Sequence, residues 1–513
     1  MQRCLLSLIA FFCAVTATFA VSPVQKRVLP NGLTILVRED HSAPVVSAQT
    51  WVKAGSVTEA DWMGAGLSHV LEHMLFKGTT TRGVAQIAQE IERHGGYINA
   101  YTSFEQTVFH IDIPKEGWQT AVDILADCMM NATIPDEELQ KEKRVILREM
   151  AMNQDNPDRR ASLLMWNTAY TTHPYRHPVI GYPDIYNRTT RDDVVAYYKR
   201  HYVPNNMMFA VVGDVSAAEV FQRIETLTKN FKMGAVPPAY VPAEPPQLET
   251  RRRDEEMAIQ LAQAHLAWHI PGITHPDVYP LDVLAIILGN GRSSRLYREL
   301  VEKQGVVHGV EASSWTPGDP GLFIIEASVD ADKREAAISA IRSEITKLDF
   351  SKEEVEKAIK ITTSNLLEQL KTMNGQAADI GHNQFLTGDP NFSETYLRNL
   401  QKVTVADVRR VAKQYLTDSQ LTITTLNPTG TAPQSTATVA GKTDTAIQKI
   451  ELPNGLRLLV REDPKLPLVD VRVLMKGGVI AETAGNNGVT KLTARLLLKG
   501  TKSRTAEIGR AHV

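Results

Sequence analysis

Residues 66–77 read Gly66-Leu67-Ser68-His69-Val70-Leu71-Glu72-His73-Met74-Leu75-Phe76-Lys77. No proline interrupts them. Leu67, Val70, Leu71, Met74 and Leu75 recur at three- and four-residue spacing, which predicts a helix burying one apolar stripe. Positions four apart share a helix face, so His69 and His73 project together, with Glu72 beside them. Two imidazoles at that separation suit one tetrahedral zinc ion, and an adjacent carboxylate can take a proton from water there. The order H-x-x-E-H reverses the commoner H-E-x-x-H. With 14 His in 513 residues such a pattern arises by chance in roughly a few per cent of chains, so its surroundings must decide.

Upstream, Lys26-Arg27-Val28-Leu29-Pro30-Asn31-Gly32-Leu33-Thr34-Ile35-Leu36-Val37-Arg38 predicts strand, Asn-Gly turn, strand. Residues 45–52 predict another strand. Downstream, helices are expected at 84–94, 117–131 and 135–153, and β-branched strands at 107–113 and 207–212. Hairpins mixed with helices, without regular alternation, favour an α+β sandwich over a doubly wound sheet. Cys128 lies in an apolar helical run and is expected in the core.

The length of 513 residues implies about three domains. The composition is that of a soluble globular protein, with 43% hydrophobic and 22% charged residues. A net charge of -2 without a basic stripe argues against nucleic acid as a partner. Residues 1–20 read as a secretory signal peptide: Arg3, an apolar run at 5–15 too short to span a bilayer, then Thr18-Phe19-Ala20 as the cleavage site. No stable membrane insertion is expected after cleavage. Only Cys128 would then remain, so no internal disulfide is expected. The expected address is secreted, or the periplasm of a Gram-negative bacterium. The expected organisation is a zinc-bearing domain at 21–231, a Pro-rich linker at 232–256, a second α+β domain at 257–426, a low-complexity linker at 427–446 and a further unit at 447–513.

That further unit repeats the first. Gln448-Lys449-Ile450-Glu451-Leu452-Pro453-Asn454-Gly455-Leu456 echoes residues 25–33, and Lys499-Gly500-Thr501 echoes Lys77-Gly78-Thr79. Aligning Gly66 on Gly488 puts Lys491, Ala494 and Arg495 where His69, Glu72 and His73 stand. The repeat thus keeps the fold signals and drops the metal chemistry, which argues against an accidental motif. It runs for about sixty residues, too few to close a core, and is expected to be truncated.

These elements resemble the pitrilysin/insulinase-type zinc metallopeptidases, the inverted zincins. The resemblance rests on the Leu-Pro-Asn-Gly hairpin, residues 66–79, Gly95-Gly96 with Asn99-Ala100-Tyr101-Thr102, His173-Pro174-Tyr175, Gly181, and Tyr202-Val203-Pro204-Asn205-Asn206 before Val211-Val212-Gly213-Asp214. It covers about residues 25–430 and the start of a second unit. It implies tandem mixed α/β sandwich domains of the pitrilysin/mitochondrial-processing-peptidase type in a clamshell arrangement, the second unit truncated. It also implies one zinc ion, with Glu149 as third ligand after His69 and His73, and Glu72 as the catalytic base. Glu142, two turns before Glu149, is implied to support the site from behind a ligand, and Asn99 and Ala100 to lie on a sheet edge that pairs with extended substrate. The family completes its active site with an Arg and a Tyr spaced R-x6-Y on the other half. Here the equivalent positions hold Val301 and His308.

The function expected is therefore a zinc endopeptidase hydrolysing peptides or small unfolded proteins. The alternatives are a non-catalytic scaffold or partner subunit of the same fold, or an inactive truncated form needing a half that supplies Arg and Tyr. The expected partners are a peptide or small protein substrate and a homo- or hetero-oligomer mate or missing C-terminal half.

Overall fold

The hairpin around Asn31-Gly32 opens a six-stranded sheet in the order β1-β2-β6-β3-β5-β4. Its strands are β1 (Gln25–Val28), β2 (Thr34–Glu39), β3 (Val45–Val52), β4 (Tyr97–Thr102), β5 (Thr107–Pro114) and β6 (Met207–Gly213). All neighbours are antiparallel except β2 and β6. The computed structural model describes residues 22–236, 241–433, 448–460, 473–483 and 485–497. The expected signal peptide lies outside them. No helix among the described residues is long and apolar enough to cross a membrane.

One face of this sheet packs against α1 (Leu67–Met74), α2 (Val84–Arg93), α3 (Trp118–Asn131) and α4 (Asp136–Asp155). The predicted stripe of α1 is buried there, Leu71 and Met74 meeting a core that includes Phe109, Ile111 and Cys128. A second sheet has the order β7-β11-β8-β10-β9, built from β7 (Arg251–Met257), β8 (Ala262–Ile270), β9 (Gly309–Trp315), β10 (Gly321–Val329) and β11 (Leu421–Pro428). Helices Val278–Gly289, Arg334–Ile345 and Val405–Tyr415 bury their apolar sides against it.

Each sheet's far face is covered by a helix from the other half. The helix α5 (Pro157–Ala169) lies on β7, β8 and β11, where Met165, Ala169 and Tyr170 meet Ala267, Leu322 and Ile324. In return, helix Met373–Thr387 crosses β3 and β6, where Met373, Ala377 and Ile380 meet Leu36, Trp51, Val108 and Ala210. Gly381 allows this approach, since a Cβ there would lie 2.4 Å from the Trp51 ring.

The expectation that all of 232–256 is linker fails at its end. Arg251–Met257 forms β7, paired in parallel with β11. It is an edge strand, so it carries charge in place of an apolar alternation, and pairs such as Arg252–Glu335 (2.5 Å) hold it.

The described residues from 448 onward belong to a separate unit. It contains an antiparallel hairpin, Gln448–Glu451 with Arg457–Val460, and a helix Val489–Leu496 that carries Lys491, Ala494 and Arg495.

Candidate metal centre

The helix α1 begins at Gly66, whose φ of 70° is left-handed and where a Cβ would meet the Ile180 carbonyl oxygen at 2.2 Å. Its first free amides are taken by a side chain from outside the helix. Glu59 Oε2 accepts from Gly66 N (3.0 Å) and Oε1 from Ser68 N (3.1 Å). Glu59 is 1% exposed. Burial pushes its pKa up to about 8, against the pull of those backbone donors.

On the next turn His69 and His73 face α4. Glu149 Oε2 stands 3.7 Å from His69 Nε2 and 3.9 Å from His73 Nε2. These are the residues whose donor atoms all lie within 4.8 Å of one another, the one such metal-competent group among the described residues. Glu142 Oε2 lies 2.9 Å from His73 Nδ1, and Glu142 Oε1 lies 2.7 Å from Lys77 Nζ. Burial works against the Glu142 carboxylate, but the hydrogen bonds from Lys77 and His73 outweigh it and hold its pKa below the ordinary value. A carboxylate only accepts, so His73 Nδ1 carries the proton of that bond, and Nε2 is the ring nitrogen that faces Glu149. Burial, with the charge of His73 adding to it, lowers the His69 pKa to about 3. Two imidazoles and a carboxylate converging on one point make a donor set that a cation would satisfy. Two N and one O are the ligands of a catalytic zinc with a position left open. The residues present thus fit the metal.

Glu72 does not belong to the ligand group. Its Oε2 accepts from Thr102 Oγ1 at 2.6 Å, and burial raises its pKa. Thr102 ends β4, the outer strand of its sheet, which also carries Asn99 and Ala100. Asn99 bonds locally, its Oδ1 accepting from Ala100 N (2.9 Å) and its Nδ2 donating to Tyr97 OH (2.8 Å). His69, Glu72, Glu149 and Thr102 open on one cavity of about 700 Å³. Its opposite wall comes from the second sheet, through Gln263, His265 and Glu326. Val301 packs against the second core, and His308 is an exposed residue bonded to Asp330 at 2.9 Å; neither lines the cavity.

Sequence reasoning did not find Glu59, Thr102, Lys77 or the second-sheet wall. Lys77, four residues past His73, carries a spacing signal that reads ordinarily as a solvated helix end. The others come from loops and strands whose approach to α1 depends on tertiary packing.

A helix presenting two histidines to a carboxylate on a neighbouring helix, beside an open sheet edge in paired α+β sandwiches, makes a candidate site for a single metal ion. Residues 34–182 match the insulinase (peptidase family M16) model, and residues 188–362 match the model described as peptidase M16 inactive domain. The chain is 31% identical over 392 residues to an uncharacterized zinc protease of Rickettsia felis, covering 75% of this chain and 93% of that one. It is 30% identical over 414 residues to a probable mitochondrial-processing peptidase subunit beta of Arabidopsis thaliana, covering 78% and 77%. A crystal structure of a protease from Helicobacter pylori superposes with a TM-score of 0.75 at 25% identity, over 80% of this chain and 100% of that one. The chain belongs to peptidase family M16.

Proposed function

We propose that this protein is a zinc-dependent endopeptidase acting on peptides or small unfolded proteins. His69, His73 and Glu149 are the ligands, Glu142 holds His73, and Glu72 is the general base. The observation that carries the reading is the convergence of three metal donors, of which His69 and Glu149 line the cavity that also receives Glu72, beside an edge strand. When bound, zinc supplies a Lewis acid that polarises a carbonyl and lowers the pKa of water. The chain's own groups do the rest. An extended peptide adds to β4 as a further strand at Asn99 and Ala100, which sets its backbone along the cavity. Glu72, oriented by Thr102, takes the proton from the attacking water and returns it to the leaving amine. Lys77 and Glu142 keep His73 in one tautomer throughout.

The test is Glu72→Gln. The variant should bind zinc like wild type and lose peptide hydrolysis; retained hydrolysis sinks the assignment. A second reading draws on Val301 and His308 lying outside the cavity and on the match of 188–362 to a domain described as inactive. In it, the zinc half works only with a partner half that supplies an Arg and a Tyr. Activity proportional to chain concentration would reject that reading. We also propose that residues 1–20 direct export to the periplasm or the medium. N-terminal sequencing of the mature protein should then start at Val21.

A further inference from the structure

The turn between β4 and β5 is tied to the second half of the fold at a point next to the proposed base. β4 ends at Thr102, whose hydroxyl donates to Glu72. The turn runs Ser103-Phe104-Glu105-Gln106 and is closed by Ser103 N donating to Gln106 O at 2.8 Å. Backbone holds its near side, with Ser56 N donating to Ser103 O (3.3 Å) and Val57 N to Phe104 O (2.9 Å). Gly55 permits this approach, since a Cβ there would lie 2.3 Å from Phe104 O.

The tip of the turn reaches across to the second sheet. The half-buried Glu105 carboxylate accepts from Tyr175 OH at 2.6 Å. It also accepts from Gly318 N, at 3.1 Å to Oε1 and 3.3 Å to Oε2. Gly318 lies between β9 and β10, so the carboxylate takes one donor from each half. Burial, with Glu105 adding to it, raises the Tyr175 pKa and keeps that phenol a donor. Beside it the Phe104 ring packs on Trp315 of β9, with centroids 5.7 Å apart. The turn has no need of this carboxylate for its own shape. Ser103 Oγ accepts from Glu105 N and Gln106 N, and the β4–β5 register is unbroken up to Thr102 opposite Thr107. What the carboxylate adds is a fixed link between the 316–320 loop and the turn that carries Thr102.

We infer that Glu105 is a positioning residue through which the second half of the fold sets Thr102 and, with it, the Glu72 carboxylate. This rests on the peptidase reading above, for it takes Glu72 as the group that acts. The path is short. Glu105 lies three residues after Thr102, and Thr102 is the one side chain hydrogen-bonded to Glu72 among the described residues. A bond of 2.6 Å weakens steeply when its donor moves or tilts, and a small misplacement of a reacting group is expensive in rate.

The experiment compares variants of the zinc-loaded full chain on a quenched fluorescent peptide that wild type cleaves. Glu105→Ala removes the acceptor. Gly318→Ala displaces it, because a Cβ there would lie 2.9 Å from Glu105 Oε1, the movable end of that side chain. Tyr170→Phe is the control. It deletes another hydrogen bond between the halves, Tyr170 OH to Pro320 O at 2.8 Å, on the same loop but without a bond to the turn. The kcat should fall about tenfold in Glu105→Ala and about threefold in Gly318→Ala. KM should stay within about twofold, since Asn99 and Ala100 keep their own pairing with β5. Tyr170→Phe should keep the wild-type kcat. In a Thr102→Val background, Glu105→Ala should cost less than about twofold further, because both act on one path. Hydrogen exchange over residues 97–106 should quicken in Glu105→Ala and Gly318→Ala and not in Tyr170→Phe. An equal loss of kcat in Tyr170→Phe overturns the inference, and so does a Glu105→Ala effect that multiplies with that of Thr102→Val. If wild type cleaves no peptide, the peptidase reading fails. Exchange then still decides whether Glu105 holds the turn, and unchanged exchange in Glu105→Ala overturns it.

Discussion

Replacing Glu142 by Ala should loosen the metal centre without touching a ligand. Glu142 is 8% exposed and is the acceptor for His73 Nδ1, 2.9 Å away. It fixes both the ring's rotation and its tautomer, so that Nε2 faces Glu149. Nothing else among the described residues does this for either imidazole: His69 Nδ1 is buried without a partner there, leaving that ring oriented by packing. A hydrogen bond to a charged group contributes about 1.5–3 kcal/mol, and loss of such an outer carboxylate costs about 10–100-fold in metal affinity. The zinc Kd of Glu142→Ala should therefore rise by about one to two orders of magnitude. Glu142→Gln, which keeps one acceptor, should fall between the variant and wild type. Lys77 complicates the measurement, because its ammonium loses its carboxylate when Glu142 goes. The pair Glu142→Ala with Lys77→Met removes that cost and should show the same weakening. Competition against a zinc-binding dye near neutral pH reads all four proteins. A Kd for Glu142→Ala within twofold of wild type would refute the orienting role, as would full recovery in the double variant.

Two further outcomes test the packing. Gly381→Ala brings a Cβ to 2.4 Å from Trp51, whose ring is 1% exposed and held by Gln49 at 3.1 Å. The overpacking costs about 1–3 kcal/mol, against about 1 kcal/mol gained from helix propensity, so urea unfolding should show a net loss of about 1 kcal/mol; a gain would mean the ring can shift. For Glu59 the sign runs with its raised pKa of about 8 in the fold, against the ordinary 4.5 of an unfolded Glu. The stabilisation is complete below the lower value and is lost as pH rises through the higher. Glu59→Gln removes this titration, so its urea midpoint should fall less than that of wild type between mildly acidic and mildly alkaline pH. Parallel declines would show that Glu59 is ionised throughout.

Much of this architecture is legible along the chain because it is local. The stripe of α1 and the Asn-Gly hairpin are each decided within a dozen residues, and helix Trp118–Asn131 begins one residue from its predicted start. The pairing of His69 with His73 is equally local, a consequence of helix periodicity. Glu149 required the family pattern, since nothing within α4 distinguishes it from the other acids of a charged helix. What stayed hidden depends on where segments meet. The exchange of α5 for Met373–Thr387 leaves no periodicity of its own, because a helix bearing apolar residues does not declare which sheet it will cover. β7 was hidden by its edge position, which replaces apolar residues with charge. His265 and Glu326 read separately as an ordinary buried histidine and an ordinary surface glutamate; only the strand register makes them neighbours.

The repeated unit separates what holds the α1 helix from what the helix does. In the first copy Glu59 binds the amides of Gly66 and Ser68, and in the second Glu482 binds those of Gly488 and Thr490, at 2.7 and 2.9 Å. Both helices start at a left-handed glycine, with φ of 70° and 85°, and both run for eight residues. The carboxylate, the glycine and the helix therefore travel together in a copy whose ligand positions are Lys491, Ala494 and Arg495. Had Glu59 served the metal, its counterpart would have no reason to accompany a helix without ligands. Its role is to anchor a helix start, and the metal chemistry is an addition made on one face of a helix already anchored. The same separation explains why Glu142, Lys77 and Thr102 are the informative outer residues: Glu142 and Thr102 touch His73 and Glu72 themselves, Lys77 holds Glu142, and none belongs to the device that positions the helix.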